Sequence, residues 1–185
     1  MTEIPGYVAG TWDIDAVHSE VAFTVKHMML SKVRGRFDKF EGTVVTGAKP
    51  EESSVTATID ATSINTNNEQ RDGHIRSADF FEVENHPTFT FTSTAVRDVT
   101  PEGFKLDGDL TIRGVTKPVT FDVELNGIGP DAWGGTRIGF SAETTVNRHD
   151  FGVDFNGPIP GAPGGVIVSE KATIHLEIEA ALQQG

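Results

Sequence analysis

Histidine offers the widest range of chemistry in this sequence, because neutral imidazole binds transition metals and also exchanges protons near neutral pH. Histidines that share a metal are often two or four residues apart, as in an HExxH segment. No two histidines here have either spacing, and no HExxH occurs. We therefore predict no metal or other cofactor, and expect hydrogen-bonding or surface roles for His18, His27, His74, His86, His149 and His175.

His27 is the histidine most suited to an interior position. It alternates in step with Val21, Phe23 and Val25, and every second residue of a strand faces the same side. An inward histidine is either a hydrogen-bonded core residue or a polar anchor for the headgroup of a ligand. The sequence leaves both interpretations open.

Arg71 and His74 form a second basic group, three residues apart in a segment with helical spacing, so they share one helix face. If that face borders a cavity, the two side chains can bind an anionic headgroup. The alternative is a solvated helix flank, or a bond from one of them to a neighbouring carboxylate such as Asp79.

The motifs of common enzyme classes are absent. Residues 147–152 contain an acid, a base and a cation, but they follow a predicted strand and end in glycine, which favours a structural turn. Asp13 and Asp15 have no partner acid, and there is no GxSxG, Walker loop or GxGxxG after a strand. We predict no catalysis; the alternative is a metal-dependent or acid-base enzyme that uses His18, His27, His74 or His149.

Strands must position these side chains, because apolar and polar residues alternate along most of the chain. The spacing predicts strands over 12–16, 20–28, 33–46, 54–61, 88–98, 104–113, 119–126, 137–147 and 166–182, with a hairpin turn at 114–118. Long strands with one apolar face favour an all-β fold, an antiparallel barrel of about eight strands that leaves few open edges. A two-sheet sandwich would give a similar pattern.

Two segments depart from the alternation. A helix is predicted from Thr66 to Phe80, where residues 66–69 match a capping box and Arg71, Ile75 and Ala78 recur at helical spacing. Residues 157–165 are too rich in proline and glycine to pair in a sheet, so they are predicted to form a loop at the barrel rim.

Size and charge limit the possible functions. The 185 residues indicate a single domain over 1–185. A net charge of −12 disfavours nucleic acid and anionic lipid headgroups as partners. No run approaches the roughly 20 apolar residues of a membrane span, and no secretory signal is visible, so a cytoplasmic location is expected. Without cysteine there is no disulfide framework or thiol nucleophile.

Phenylalanine dominates the predicted barrel interior. The chain has 12 Phe but one Tyr and two Trp, and inward parity falls on Phe23, Phe37, Phe91, Phe104, Phe121 and Phe140. An eight-stranded barrel has room for its own side chains and one small ligand, in a cavity of about 300 to 1,000 Å³. Gly35, Gly42 and Gly108 are predicted to hollow this space or bend the strands. The alternative is a barrel filled by its own side chains.

Several segments together resemble the YceI-like, polyisoprenoid-binding family. They are Trp12-Asp-Ile-Asp-Ala-Val-His18-Ser-Glu-Val-Ala-Phe23-Thr-Val-Lys-His27, Val33-Arg-Gly-Arg-Phe37, Arg71-Asp-Gly-His74-Ile-Arg-Ser-Ala-Asp-Phe-Phe81, His86-Pro-Thr-Phe89, Gly108-Asp-Leu-Thr-Ile-Arg-Gly114-Val-Thr-Lys-Pro118 and Arg148-His-Asp-Phe-Gly152. The resemblance implies a lipocalin-like barrel that holds an isoprenoid or similar long-chain lipid, usually as a homodimer. His27, Arg71 and His74 would lie at the polar end of its tunnel.

The predicted function is therefore non-catalytic binding of a long-chain lipid, in a carrier, storage or stress-related role, with a filled-core structural dimer as a further alternative. The predicted ligand-binding residues are Phe23, Val25, His27, Phe37, Arg71, His74, Phe91, Leu110, Ile112, Phe121 and Phe140.

Overall fold

The computed structural model describes residues 3–156, 158–159 and 162–184, with the backbone alone for 158–159 and 162–166. Its single α-helix within this part of the chain is α1 (Glu69–Arg76). The strands are β1 (Gly10–Ile14), β2 (Glu20–His27), β3 (Ser31–Phe37), β4 (Phe40–Thr46), β5 (Ser54–Asp60), β6 (Ile64–Asn65), β7 (Thr88–Thr100), β8 (Gly103–Ile112), β9 (Val115–Pro130), β10 (Thr136–Asn147), β11 (Pro158–Ile159), β12 (Ala162–Val166) and β13 (Lys171–Leu182).

The strands form a closed antiparallel barrel of eight strands, as the alternation predicts, and not a sandwich. Three of the eight barrel strands are interrupted. Each of these consists of two segments that follow one another in the chain: β1 and β2, β3 and β4, and β5 and β6. β13 closes the barrel: it pairs with β10 along one edge, and with β1 and β2 along the other. Closure leaves these barrel strands with partners on both sides, which removes open sheet edges.

Two predicted strands differ from the strands in the structure. The strand predicted over 33–46 is divided at Asp38 and Lys39, because the Asp38 N–H bonds the Ser63 carbonyl oxygen and leaves the ladder. The strand predicted over 12–16 ends at Ile14, because the Asp15 carboxylate accepts the Val17 N–H and forms a turn.

The predicted loop over 157–165 is also corrected in part. β11 and β12 pair with each other in a separate two-stranded sheet, so this glycine-rich segment does form strands. The last barrel strand consequently begins at Lys171 and not at residue 166 as predicted. Gly157, Pro160 and Gly161 lie outside the described residues.

Helix α1 is shorter than the predicted helix from Thr66 to Phe80. Asn68 is its N-cap and accepts the Arg71 N–H at 2.9 Å. Thr66 cannot fill that role, since its hydroxyl donates to the buried Asp72 carboxylate at 2.5 Å. The helix ends at Arg76, because Ser77 is extended and its hydroxyl bonds the carbonyl oxygen three residues earlier. Within the described residues, no helix has the length and apolar content of a membrane span.

The turn between β8 and β9 consists of Arg113 and Gly114 alone, whereas the sequence predicts a turn over 114–118. Both residues have positive φ, 51° and 75°. Two-residue hairpins favour this conformation because its twist matches that of the strands. Val115 to Pro118 therefore belong to β9.

We expect Gly114→Ala to lower the free energy of unfolding by about 1–2 kcal/mol, because alanine is disfavoured in the left-handed region. Its Cβ would also lie 2.8 Å from Cε1 of His86. Gly139→Ala is the matched control, since its Cβ would meet no atom closer than 3.7 Å. Urea denaturation measures both, and equal effects would contradict this account of the turn.

Candidate functional site

A cavity of about 610 Å³ occupies the barrel interior. This volume lies within the range of about 300–1,000 Å³ that is usual for small-molecule sites. Its wall draws on all eight barrel positions and is mostly aliphatic and aromatic. The filled-core alternative is therefore not what the structure contains.

All the predicted ligand-binding residues border this cavity: Phe23, Val25, His27, Phe37, Arg71, His74, Phe91, Leu110, Ile112, Phe121 and Phe140. The strand residues among them were predictable from alternation, because every second side chain of a barrel strand points inward. Inward Phe23, Phe104 and Phe140 remain only partly buried, so the interior is not packed shut. That these residues bind a ligand stays a prediction.

Strand-interior glycines hold the aromatic rings against the wall. A Cβ on Gly35 would lie 2.5 Å from Cζ of Phe23, and a Cβ on Gly108 would lie 2.3 Å from Cζ of Phe91. Each ring therefore lies over a glycine of a neighbouring strand. Gly42 likewise leaves room for Ile14, whose Cδ1 would lie only 2.7 Å from a Cβ on this glycine. The glycines widen the interior indirectly, by making space for side chains that would otherwise project into it.

One end of the barrel is filled by tightly packed side chains. Trp12 is fully buried there and packs with Val44, Ile138 and Ala180. Its indole N–H donates to the Thr46 hydroxyl at 2.9 Å. The N-terminal segment covers the same end: the Tyr7 hydroxyl donates to the Gly47 carbonyl oxygen, and both Ile4 and Tyr7 border the cavity.

The other end, beside α1, is the mouth of the cavity. Lys26, His27, Arg71 and His74 all border the cavity there and are all exposed to solvent. His27 is the last residue of β2 and its backbone pairs with Val168. It shares the inward parity that the sequence predicts, but it lies at the rim, so the core-residue interpretation is wrong.

Arg71 and His74 both take part in local structure. Arg71 donates from Nε to the Thr66 hydroxyl and from a terminal nitrogen to the Thr66 carbonyl oxygen, each at 2.8 Å. His74 Nε2 lies 2.8 Å from the carboxylate of Asp79, which is the alternative partner that the sequence suggested. The His74 ring also contacts the ring of Phe155, with centroids 4.8 Å apart.

Arg148 is a cavity-bordering residue that sequence reasoning missed. It is 7% exposed, and its guanidinium donates to the backbone carbonyl oxygens of Ser169, Val153 and Val168 at 2.8, 2.7 and 3.2 Å. Burial lowers the pKa of Arg148 from its usual value. The surrounding residues form a 3₁₀ turn (Arg148–Phe151) that ends at Gly152, which agrees with the predicted turn. The only signal in the sequence was the family-like segment that begins at Arg148.

Three of the four histidines of the enzyme alternative, His18, His74 and His149, lie beside separate carboxylates. His18 Nδ1 lies 2.8 Å from Asp15, and His149 Nδ1 lies 3.5 Å from Asp154. Asp15, His18 and Glu179 offer ligand atoms within 4.8 Å of one another. The Arg137 guanidinium, however, already bonds Asp15 at 2.7 Å and Glu179 at 3.4 Å. This group is therefore explained as an ion-pair network at the seam between β1, β10 and β13.

The same network makes stability depend on pH. Hydrogen bonds from Arg137, and then from His18, hold the pKa of the Asp15 carboxyl well below its usual range. A carboxylate with a lowered folded-state pKa contributes stability above the unfolded pKa of about 3.9, and this contribution is lost as the pH falls below it. We expect Asp15→Asn to make the melting temperature less dependent on pH below about 4.

Melting curves recorded by circular dichroism between pH 5 and pH 2 test this expectation. Asp13→Asn is the control, because Asp13 is exposed and, among the described residues, accepts one side-chain hydrogen bond, from Gln183. If the pH profile of Asp15→Asn runs parallel to that of the wild type, the network does not contribute as described.

The fold and cavity define a class of protein: a lipocalin-like antiparallel barrel that encloses an apolar cavity. Comparison with known proteins then identifies the family. The sequence profile of the YceI-like domain matches residues 12–180. The chain therefore belongs to the YceI-like family, as the resemblance of its sequence segments predicts.

Individual relatives agree with this assignment. A UPF0312 protein of Pseudomonas putida (strain W619) is 42% identical over 173 residues, covering 93% of this chain and 85% of the relative. The crystal structure of a Campylobacter jejuni YCEI protein matches with a TM-score of 0.74 at 30% identity, covering 86% and 90% of the two chains. A polyisoprenoid-binding domain from Saccharophagus degradans, implicated in plant cell wall breakdown, matches with a TM-score of 0.69, covering 95% and 100%; at 16% identity it shows a shared fold.

Proposed function

We propose that this protein binds a long-chain lipid of the isoprenoid type in its barrel cavity and catalyses no reaction on it. The observation that carries the proposal is the cavity of about 610 Å³, closed at the Trp12 end, open beside α1 and lined mostly by apolar side chains. A polyisoprenoid-binding domain with the same fold supports the isoprenoid class.

The dimensions of the barrel favour a long, thin molecule. β13 has 12 residues, so at about 3.4 Å per residue it is roughly 40 Å long. Barrel strands tilt by about 35–45°, which leaves an axial length of roughly 30 Å. An extended hydrocarbon chain can lie along this axis, whereas a compact molecule of the same volume would leave much of the wall uncovered.

The apolar wall supplies the affinity. Burial of ten methyl or methylene groups contributes roughly 8 kcal/mol at about 0.8 kcal/mol each. Association costs of about 4 kcal/mol or more leave micromolar or weaker binding of such a segment. The mouth, with Lys26, His27, Arg71 and His74, would contact the polar end of the molecule.

Native mass spectrometry of gently purified protein, followed by organic extraction, tests the proposal. We expect a bound lipid at a stoichiometry of one, and displacement of a fluorescent apolar probe by geranylgeraniol. Recovery of the lipid unchanged after prolonged incubation is expected of a protein without catalytic activity. An empty cavity that neither probe nor geranylgeraniol enters would overturn lipid binding. A homodimer and a cytoplasmic location stay predictions, which sedimentation velocity and cell fractionation test.

A further inference from the structure

The tip of the hairpin that β2 and β3 form, residues 26–32 (the hairpin tip), exposes an unusual group of apolar side chains. Met28, Met29 and Leu30 are consecutive and are 37%, 52% and 87% exposed. The other large exposed apolar residues of the described chain, such as Val17 and Trp133, are single residues with no such neighbour. Three adjacent apolar side chains in water are unfavourable, and such groups usually mark an interaction site.

The backbone of the hairpin tip is also unusual. Met28 and Met29 have φ values of 51° and 59°. Residues with side chains are disfavoured in this left-handed region, where glycine and asparagine are the ordinary choices. A turn formed for stability alone would not need methionine at both positions. The apolar side chains themselves are thus the feature that this turn presents.

Basic residues follow the same hairpin on its outward face. Lys26 is directly opposite Lys32 in the pairing of β2 with β3, and Arg34 and Arg36 continue the same face along β3. Like charges directly opposite each other in a sheet are destabilising. Arg34 and Arg36 pair with acids, but neither Lys26 nor Lys32 has an ion pair within the described residues. An external anion would relieve this repulsion.

The hairpin tip lies at the mouth of the cavity. The Met28 N–H donates to the carbonyl oxygen of Ile167, next to the pairing of His27 with Val168. Lys26 and His27 themselves border the cavity. A surface held by the hairpin tip would therefore face the entrance through which a lipid must pass.

We propose that the hairpin tip docks this protein on an anionic lipid bilayer, with Met28, Met29 and Leu30 in the interface and Lys26 and Lys32 against the headgroups. The combination of apolar side chains flanked by lysines matches the two layers of such a surface. The net charge of −12 is a sum over the whole chain and does not show this basic hairpin. Repulsion of the remaining acidic surface would orient the protein with its tip toward the bilayer.

Co-sedimentation with vesicles tests the docking surface. We expect binding to vesicles of phosphatidylcholine with about 30% phosphatidylglycerol, chosen as probes, and much weaker binding to pure phosphatidylcholine. Met29→Ser with Leu30→Ser, and separately Lys26→Gln with Lys32→Gln, should each reduce binding at least about tenfold. All four side chains are exposed, so melting temperatures should change little.

Matched controls test whether vesicle binding depends on the hairpin tip or on exposed apolar and basic residues anywhere on the surface. Trp133→Ser removes an apolar residue that is 80% exposed and lies beside β10 at the closed end. Lys39→Gln with Lys49→Gln removes two exposed lysines outside the hairpin tip. Both control proteins should bind vesicles like the wild type. Equal losses in tip and control variants would overturn the proposal.

Leu30→Trp in a Trp133→Phe background provides a second readout. After subtraction of the spectrum of Trp133→Phe alone, which contains Trp12, anionic vesicles should shift the remaining emission to the blue, and lipids with brominated acyl chains should quench it. No shift and no quenching would overturn docking. Two other results would also overturn docking. If the wild type is a dimer without lipid and the tip variants are monomers, the tip binds a second copy of the chain. If the protein binds single-stranded DNA in a salt-sensitive way and does not bind vesicles, the basic residues serve nucleic acid. Probe binding in the cavity is measured separately, so failure of docking is distinguishable from failure of the proposed function.

Discussion

Ala142→Trp should abolish most lipid binding and leave the barrel folded. Ala142 lies partly buried on the inward face of β10, between Val123 and Leu176 of the neighbouring strands, and borders the cavity. An indole at this position fills the middle of the tube, where the chain of a bound lipid would lie. We expect the affinity for geranylgeraniol to fall at least about tenfold, equivalent to about 1.4 kcal/mol. Displacement of a fluorescent apolar probe measures the effect.

Glu143→Trp is the control for this substitution. Glu143 is the next residue of β10, is exposed and faces outward. The same indole on the outer face should leave lipid affinity unchanged. If Ala142→Trp binds lipid as tightly as the wild type while both variants remain folded, the ligand does not occupy the barrel interior. Because the hairpin tip is untouched, Ala142→Trp should still bind anionic vesicles.

Arg148→Met is expected to lower the free energy of unfolding by about 2–4 kcal/mol. The substitution leaves the buried carbonyl oxygens of Val153 and Ser169 without their donor, and an unsatisfied buried polar group costs about 1–3 kcal/mol. Removal of a buried cation recovers part of this loss, because the charge no longer has to be desolvated. Urea denaturation measures the change.

Arg76→Met is the matched comparison for Arg148. Arg76 also donates to backbone carbonyl oxygens, those of Thr62 and Ile64, at 3.1 and 3.4 Å. It lies nearer to solvent, so water can replace its hydrogen bonds, and we expect a loss below about 1 kcal/mol. Similar losses for the two variants would mean that burial of the Arg148 guanidinium is not what makes it important.

The barrel was predictable because its information is local. Alternation over 104–113 specifies which side chains face inward, and the structure buries Leu106 and Leu110 as that pattern requires. The same parity placed Phe91 and Phe121 on the cavity wall. Local alternation does not specify strand pairing, so a sandwich stayed compatible with it until β13 was seen to close the sheet.

The errors arise where contacts and strand ends that alternation does not encode decide the structure. Helix α1 starts after Asn68 because the Thr66 hydroxyl donates to the Asp72 carboxylate and so does not cap the helix. Parity gave the right face for His27, but the depth along the barrel axis is set by where β2 ends, so the side chain lies at the rim. Arg148 could not be recognised as buried, because its partners are backbone carbonyls that carry no signature in the sequence.

The total charge was misleading for a similar reason. Summation over the chain gives −12, yet no acidic residue occurs between Glu20 and Asp38. Pairing of β2 with β3 gathers the basic residues of this interval on one face. The net charge contains no information about this arrangement, which follows from the register of the two strands.

Trp12 is fully buried at one end of the barrel, so within the part of the chain that the structure describes the tube opens at the other end, beside α1. A lipid bound as proposed would therefore enter with its apolar tail first and leave through the same end, with its polar end nearest solvent. Once the tube is full, further carbon atoms remain outside and gain no contact with the wall. The affinity for a lipid should consequently rise with the length of its hydrocarbon chain up to the depth of the tube and then level off. Chains longer than the tube should bind about as tightly as chains that just fill it.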